Sequence, residues 1–289
     1  MNKKYALLLL ASSVACGQNS QQQTQRNLDG PGDIAFACFG GLDIGGAVAD
    51  SPQPVRSCVE HADEDMNTPA GQADVTNKPV MYSLVLQPTR GTVAFVNADT
   101  TVPLVVDSDP LSPGTDSLPV GSRPVGIGVD ESGCFAMTEN AGSCDLSRVD
   151  LGAAFPSVLL GRESDSAVEH LPVTVDSGPL LSRPEALALA PPPSDQAIGV
   201  SCEEAPTTVM YVAYPGCNMV AAISTESGAV LGGVDFSSGA AAVFSGGAVS
   251  CPTECADTRD GVAPGVGRAP TPDSPRPVGI DIGLSLIHI

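Results

Sequence analysis

Apolar positions in this chain come in short runs separated by turn residues, a pattern typical of β-strands. From residue 78 onward the runs are rich in Val, Ile and Leu, and Gly, Pro, Asp or Ser separate them. Runs of this kind, several alternating at period two, predict half-buried strands. The predicted strands cover residues 80–86, 92–97, 104–107, 125–129, 134–138, 145–150, 186–190, 208–213, 219–224 and 230–236, with 34–39 as a further candidate. The Leu/Ala pattern at residues 186–190 fits a helix equally well.

A nine-residue segment is repeated along the chain. The sequence DSLPVGSRP at residues 116–124 returns as DSGPLLSRP at residues 176–184, and a shorter DSPRP occupies residues 273–277. The Arg-Pro steps at Arg123, Arg183 and Arg276 are therefore interpreted as the starts of repeating units. A degenerate copy, Lys-Pro-Val at residues 78–80, indicates an earlier start.

Units of three or four short strands separated by turns predict an all-β fold. We expect a partial β-propeller of about three to four antiparallel blades with loop insertions. A β-sandwich is the alternative, because it is also built from short strands with turn signals. The repeated Arg-Pro start favours blades, whereas the irregular spacing of the starts departs from a regular propeller.

Three short motifs resemble the blades of NHL- and YVTN-type β-propellers. They are the Arg-Pro-Val-Gly-Ile start at residues 123–127, the Asp-Glu-Ser-Gly turn at residues 130–133 and the strand that ends at Asp150. The resemblance covers roughly residues 78–282. Because related propellers include lactonases and lyases, it also implies an enzyme hypothesis, under which His170 and several carboxylates would meet at a central channel.

The chain begins with a segment typical of export. Two lysines precede the apolar residues 5–11, and small residues precede Cys16. An apolar run this short cannot span a bilayer. The segment resembles a bacterial lipoprotein signal cleaved before Cys16, whose thiol is then acylated, although Ser13 stands where that family usually carries Leu. An ordinary signal peptide is the alternative, and Gly17 after the cysteine resembles outer-membrane sorting.

Eight cysteines remain if Cys16 carries lipid, an even number that indicates disulfides in an exported protein. A metal site at Cys251 and Cys255 is the weaker alternative, because structural zinc needs four ligands and no histidine lies near. Sequence alone leaves the connectivity open. Pairing of neighbours along the chain gives Cys38–Cys58, Cys134–Cys144, Cys202–Cys217 and Cys251–Cys255.

The charge balance limits the partners. Thirteen basic and thirty-three acidic residues give a net charge of −20, and this field repels nucleic acid and anionic lipid head groups. We therefore expect no nucleic-acid partner, although cationic ligands or divalent metals fit the charge. The acidic run at residues 60–65 lacks the spaced ligands and the glycine of an EF-hand, which favours an exposed loop.

No catalytic constellation stands out in the sequence. The histidines lie outside metal-binding motifs, and neither a nucleophile elbow nor a phosphate loop occurs. We therefore expect no catalytic residue, no metal site and no cofactor. The recurring arginines Arg123, Arg183 and Arg276 are interpreted as structural groups that pair with loop carboxylates between blades. The alternative is a ring of guanidinium groups that binds a ligand at one mouth of the propeller.

These features divide the chain into five parts. They are a signal peptide at residues 1–15, a disordered tether at 16–33, an irregular segment or partial blade at 34–77, propeller repeats at 78–283 and an artefactual apolar tail at 284–289. The tail resembles translated sequencing adapters on truncated gene predictions. We therefore expect the chain to be the N-terminal part of a longer propeller.

The expected function is that of a lipid-anchored, disulfide-containing protein of the bacterial cell envelope, at the outer membrane. It would bind a protein, glycan or envelope component without catalysis, so its partners are that ligand and the membrane that holds the anchor. A propeller enzyme of the lactonase or lyase type is one alternative. A purely structural envelope protein is the other.

Overall fold

The protein is predominantly antiparallel β-structure, which confirms the predicted all-β fold. Three consecutive sheets, here called sheets 1, 2 and 3, contain most of the strands in the part of the chain that the structure describes. This computed structural model describes residues 28, 30–40, 51–62, 79–98, 104–106, 117–160, 167–190, 209–246, 249, 251–255, 281–282 and 287–288. Cys16, Cys202 and Arg276 lie outside these residues.

Sheet 1 begins earlier in the chain than the repeat pattern predicted. Its strands run in the order β2-β1-β3-β4-β5, and β6 also pairs with β4. The Lys-Pro-Val segment at residues 78–80 therefore leads into β3, which lies in the middle of this order, and not into the first strand of the sheet. The strands are β1 Ile34–Gly40, β2 Ser51–Gln53, β3 Val80–Gln87, β4 Thr92–Asn97, β5 Leu104–Val105 and β6 Ser117–Pro119.

Helix α1 (Val55–Ala62) follows β2 and was not predicted. The Cys38–Cys58 disulfide ties this helix to β1, as the pairing of neighbouring cysteines predicted. The helix takes up the start of the acidic run at residues 60–65, which was expected to be a loop. The rest of that run lies outside the described residues.

Sheet 2 is a four-stranded meander in the order β10-β9-β8-β7. The predicted tight turn at residues 130–133 is confirmed, because the Asp130 carboxylate accepts the N–H groups of Ser132 and Phe135 and so closes it. The elements are β7 Pro124–Val129, β8 Phe135–Asn140, β9 Asp145–Asp150, helix α2 Leu151–Leu160 and β10 Val168–Pro172.

Sheet 3 follows the chain order from β13 to β17. A two-stranded pair, β11 and β12, precedes it, and a second pair, β18 and β19, lies near the end of the chain. The strands are β11 Thr174–Val175, β12 Gly178–Pro179, β13 Ala186–Leu189, β14 Val209–Tyr214, β15 Met219–Ser224, β16 Val230–Asp235, β17 Ala242–Phe244, β18 Asp281–Ile282 and β19 Ile287–His288.

The two described Arg-Pro steps occupy equivalent places. Arg123 stands directly before β7, the first edge strand of sheet 2, and Arg183 stands shortly before β13, the first edge strand of sheet 3. Strand β7 packs beside β1 on one side and beside β13 on the other. Each described Arg-Pro step therefore precedes the strand that forms the first edge of its sheet.

Sheet 2 has a hydrophobic core on each face, and successive side chains of its inner strand β8 point into one core and then the other. Ala136 of β8 belongs to the core shared with sheet 1, whereas Phe135 and Met137 belong to the core shared with sheet 3. Every residue of β8 is buried as a result. A two-sheet sandwich, the alternative fold, would leave one face of each sheet outside the core. Stacking on both faces is the arrangement expected of consecutive blades.

Helix α2 packs against the core that sheets 1 and 2 share. Its sequence has no pattern typical of a helix. Its Phe155 ring stacks on Phe39 with the centroids 4.2 Å apart and meets the edge of Tyr82 at 4.6 Å. A helix that is apolar all round lacks the polar stripe that periodicity analysis needs. Its internal Pro156 is also a helix-breaking residue, so the pattern of residues 151–160 does not predict a helix.

Candidate functional site

A pocket of about 440 Å³ opens beside the first Arg-Pro step. One wall is the turn between β3 and β4, and the other is the repeated segment that leads from β6 into β7. We call it the Arg123 pocket and define it by residues 88–91 and 119–123. Arg90 and Arg123 are its charged residues, and no acidic residue lines it.

The two walls touch at a point that only glycine allows. The Val120 N–H donates to the Gly91 carbonyl at 2.9 Å. Gly91 has a φ of 69°, and a Cβ on it would lie 2.5 Å from the Gly121 carbonyl oxygen. Because an L side chain would be strained and would also clash there, glycine at position 91 fixes the distance between the walls.

A buried polar network supports the repeated segment from below. Ser147 Oγ donates to the Val120 carbonyl at 3.1 Å and accepts from Asn140 Nδ2 at 3.0 Å. The Asn140 amide also donates to Asp145 at 2.9 Å. The Asn140 side chain lies so close beneath Gly121 that a Cβ there would be 2.3 Å from its Cγ. Networks whose members are satisfied in this way make a segment rigid.

Arg123 adopts a backbone conformation that residues other than glycine rarely adopt, with a φ of 49°. Hydrogen bonds on both sides hold it there, since Ala141 N–H donates to the Arg123 carbonyl and Gly142 N–H to the Ser122 carbonyl. Strained positions of this kind persist when their surroundings overdetermine them, and they concentrate at functional sites. The side chain of Arg123 itself is exposed.

The predicted pairing of the repeat arginines with loop carboxylates is not seen at their guanidinium groups. Among the described residues, neither Arg123 nor Arg183 forms an ion pair with a carboxylate. A carboxylate does reach the second step, because Glu254 Oε2 accepts from the Arg183 N–H at 2.8 Å and from Ser182 Oγ at 3.0 Å. The contact between units therefore uses the main chain and the serine.

The segment that carries Glu254 joins sheets 2 and 3. We call residues 251–255 the strap. Cys255 bonds to Cys144 in the β8–β9 turn, and Cys251 bonds to Cys217 in the turn after β14. The N–H groups of Glu254 and Cys255 also donate to the Leu181 carbonyl.

These bridges correct the predicted connectivity. The pairs Cys134–Cys144, Cys202–Cys217 and Cys251–Cys255 are wrong, because folding brings sequence-distant turns together and these bond instead. Cys134 is also in a disulfide. The metal alternative for Cys251 and Cys255 is excluded because both sulfurs are in bridges. The three described disulfides indicate an exported or extracellular protein.

A second polar group lies between sheets 2 and 3. Glu139 of β8 is fully buried, and its carboxyl oxygens have no hydrogen-bond partner among the described residues. Burial, and then the nearby Asp33 and Glu185 carboxylates, raise the pKa of Glu139 well above its ordinary value. Burial, followed by the charge of Glu139, raises the pKa of Tyr214, whose hydroxyl is also without a partner there.

This acidic group lacks the geometry of a metal site. Within the part of the chain that the structure describes, no three His, Cys, Asp or Glu side chains are placed to hold a metal ion. His170, which the enzyme hypothesis would bring to the same place, lies exposed on β10 at the opposite edge of sheet 2 from β7. Carboxylates from three elements approach one another, but the histidine does not join them.

The Ser147 and His170 pair does not resemble an activated nucleophile. The Ser147 Oγ and His170 Nδ1 atoms are 3.2 Å apart, yet Ser147 is fully buried and its hydroxyl donates a hydrogen bond to the Val120 carbonyl. A nucleophilic serine would have to donate to the histidine and be open to substrate. We assign the pair to support of the Arg123 pocket.

Comparison with known proteins identifies no relative of this chain. No family model and no curated protein matches this sequence. Among the described residues, no helix combines the length and the apolar character needed to cross a membrane.

Proposed function

We propose that this protein is a lipid-anchored protein of the bacterial cell envelope that binds a protein, glycan or other envelope component without transforming it. We further propose that the ligand binds in the Arg123 pocket and that the stacked sheets are blades of an NHL- or YVTN-like propeller. The observation that carries the proposal is a rigid pocket with charged walls on a disulfide-linked scaffold.

Preorganisation supports binding at this pocket. The close contact at Gly91 and the network under Gly121 fix both walls before any ligand arrives. A pocket whose walls are already fixed avoids the entropic cost that a mobile loop incurs when it becomes ordered on ligand binding. The Ser147 hydroxyl is committed to this support, which favours a binding role over a catalytic one.

Lipid attachment at Cys16 can be tested by metabolic labelling with palmitate in a bacterial host. We expect the full chain to be labelled and to sediment with membranes, and the Cys16→Ser variant to be unlabelled. An acyl chain contributes roughly 0.8 kcal/mol per buried methylene, so loss of the anchor should release the protein from membranes. Equal labelling of both proteins would contradict the anchor.

Ligand binding can be tested with purified envelope polysaccharides and the mature chain. Thr89→Trp would fill the pocket from an exposed position, and Ser245→Trp, which adds the same bulk to an exposed residue outside it, is the matched control. We expect binding that Thr89→Trp lowers at least tenfold and Ser245→Trp leaves unchanged. Equal loss in both variants, or no binding by the parent, would contradict the proposal.

A further inference from the structure

We propose that the Arg123 pocket binds an anionic group, a phosphate or a carboxylate, carried on an envelope glycan. This inference rests on the proposed function, because it takes the pocket to be the ligand site. It adds the chemical class of the ligand and assigns Arg123 as the residue that recognises it.

The local charge is opposite to that of the molecule. The chain has thirty-three acidic and thirteen basic residues, yet the pocket contains two arginines and no acidic side chain. Arginine presents a planar fork of N–H donors that matches carboxylate and phosphate oxygens in a bidentate geometry. A positive pocket on an acidic surface selects anions at this one place, where the surrounding field would otherwise repel them.

The second repeat shows that this sequence segment can hold a carboxylate. Glu254 of the strap lies on Ser182 and Arg183, and its Oε2 accepts hydrogen bonds from both. Ser122 and Arg123 are the same two positions of the first repeat, and both line the pocket. No carboxylate of the described chain occupies the pocket lining, so the serine hydroxyl position that the second step uses for Glu254 is left to a ligand at the first step.

The two steps differ in the backbone at the arginine. Arg123 has a φ of 49°, whereas Arg183 is not among the residues with positive φ. We therefore assign the anion to the Arg123 guanidinium and the Ser122 hydroxyl, and not to the Arg123 N–H. Arg90, on the facing wall, adds positive charge at the same opening.

The test is a titration of the ¹⁵N-labelled mature chain, followed by amide chemical shifts. The probes are inorganic phosphate and glucuronate, with glucose as the uncharged control. We expect phosphate or glucuronate to shift the Gly91 and Gly121 amides saturably, and glucose to leave them unchanged. A response to phosphate alone indicates a phosphorylated ligand, and a response to glucuronate alone indicates an acidic sugar.

Arg123→Gln and Arg183→Gln form the matched pair of variants, because each removes an exposed arginine from an Arg-Pro step. We expect Arg123→Gln to weaken anion binding at least tenfold and Arg183→Gln to leave it within twofold, with both melting temperatures close to that of the parent. Binding that survives Arg123→Gln, or that is lost equally in both variants, would overturn the assignment.

The outcomes separate this inference from the proposed function. If a polysaccharide binds in a manner sensitive to Thr89→Trp while neither anion binds, the pocket remains the ligand site and the anionic class is wrong. If Thr89→Trp changes nothing and the anions do not bind, both proposals fail.

Discussion

Glu139 lies in an environment that disfavours its ionised form. Its carboxyl group lies between sheets 2 and 3, with Oε2 2.8 Å from the place that a Cβ on Gly126 would occupy. No hydrogen bond from a described residue compensates for its burial. The neutral, protonated acid is therefore the form that the folded protein accommodates.

This environment makes stability depend on pH. Because the folded pKa of Glu139 is raised above its ordinary value of 4.5, the residue's contribution to stability is fully present below that value. The contribution is lost as the pH rises towards the folded pKa. Glu139→Gln removes the ionisable group, so we expect the melting temperature of the variant to exceed that of the parent by a margin that grows from pH 4.5 to pH 8.

Thermal unfolding at a series of pH values measures this margin. Glu131→Gln is the control, because Glu131 is exposed in the β7–β8 turn. Its melting temperature should follow that of the parent at every pH. A Glu139→Gln variant that is equally destabilised across the whole range would refute a neutral, uncompensated carboxyl.

Ser147 supports the pocket, and its removal should be costly. Ser147→Ala leaves the Val120 carbonyl without its side-chain donor and Asn140 without one of its two acceptors, both in a buried setting. An unsatisfied buried polar group costs about 1–3 kcal/mol. We expect urea unfolding to show a loss of this size, and Ser238→Ala, at an exposed serine, to change the free energy of unfolding by less than about 0.5 kcal/mol.

The strap is the element that links consecutive repeats. It connects the β8–β9 turn of sheet 2, the turn after β14 of sheet 3 and the main chain before the second Arg-Pro step. This five-residue segment therefore adds two covalent links to the core that sheets 2 and 3 already share. Its effect on stability should exceed what its length suggests.

Replacing Cys144 and Cys255 together with alanine tests this. The bridge joins residues 111 positions apart, and bridges that close long loops restrict the unfolded chain most. We expect the double variant to lose about 2–4 kcal/mol of unfolding free energy under oxidising conditions. Unfolding in denaturant gives the value, and a variant as stable as the parent would show that the strap is dispensable.

At the scale of elements, strands were predictable and helices were not. Strands β4, β9 and β15 occur where alternation and turn residues predicted them. Helix α2 was missed because a helix with apolar residues on nearly every side has no periodic polar stripe. In the pocket, repetition identified Ser122 and Arg123 in the sequence, but the facing turn at Gly91 is brought there only by folding.

At the scale of the whole molecule, pairing each cysteine with its neighbour along the chain does not predict the disulfides. Eight cysteines allow 105 connectivities, and only the local Cys38–Cys58 pair follows from proximity along the chain. The Cys144–Cys255 and Cys217–Cys251 bridges depend on sheets 2 and 3 stacking so that their turns face the same strap. The disulfide connectivity therefore depends on how the sheets are arranged, and measuring it tests that arrangement.

Peptide mapping of the exported protein under non-reducing conditions, with mass spectrometry of the linked peptides, is the most direct measurement. Stacked sheets locked by the strap predict linked peptides that contain Cys144 with Cys255 and Cys217 with Cys251. Recovery of Cys134 with Cys144 and of Cys251 with Cys255, or of free thiols at these positions, would contradict the account.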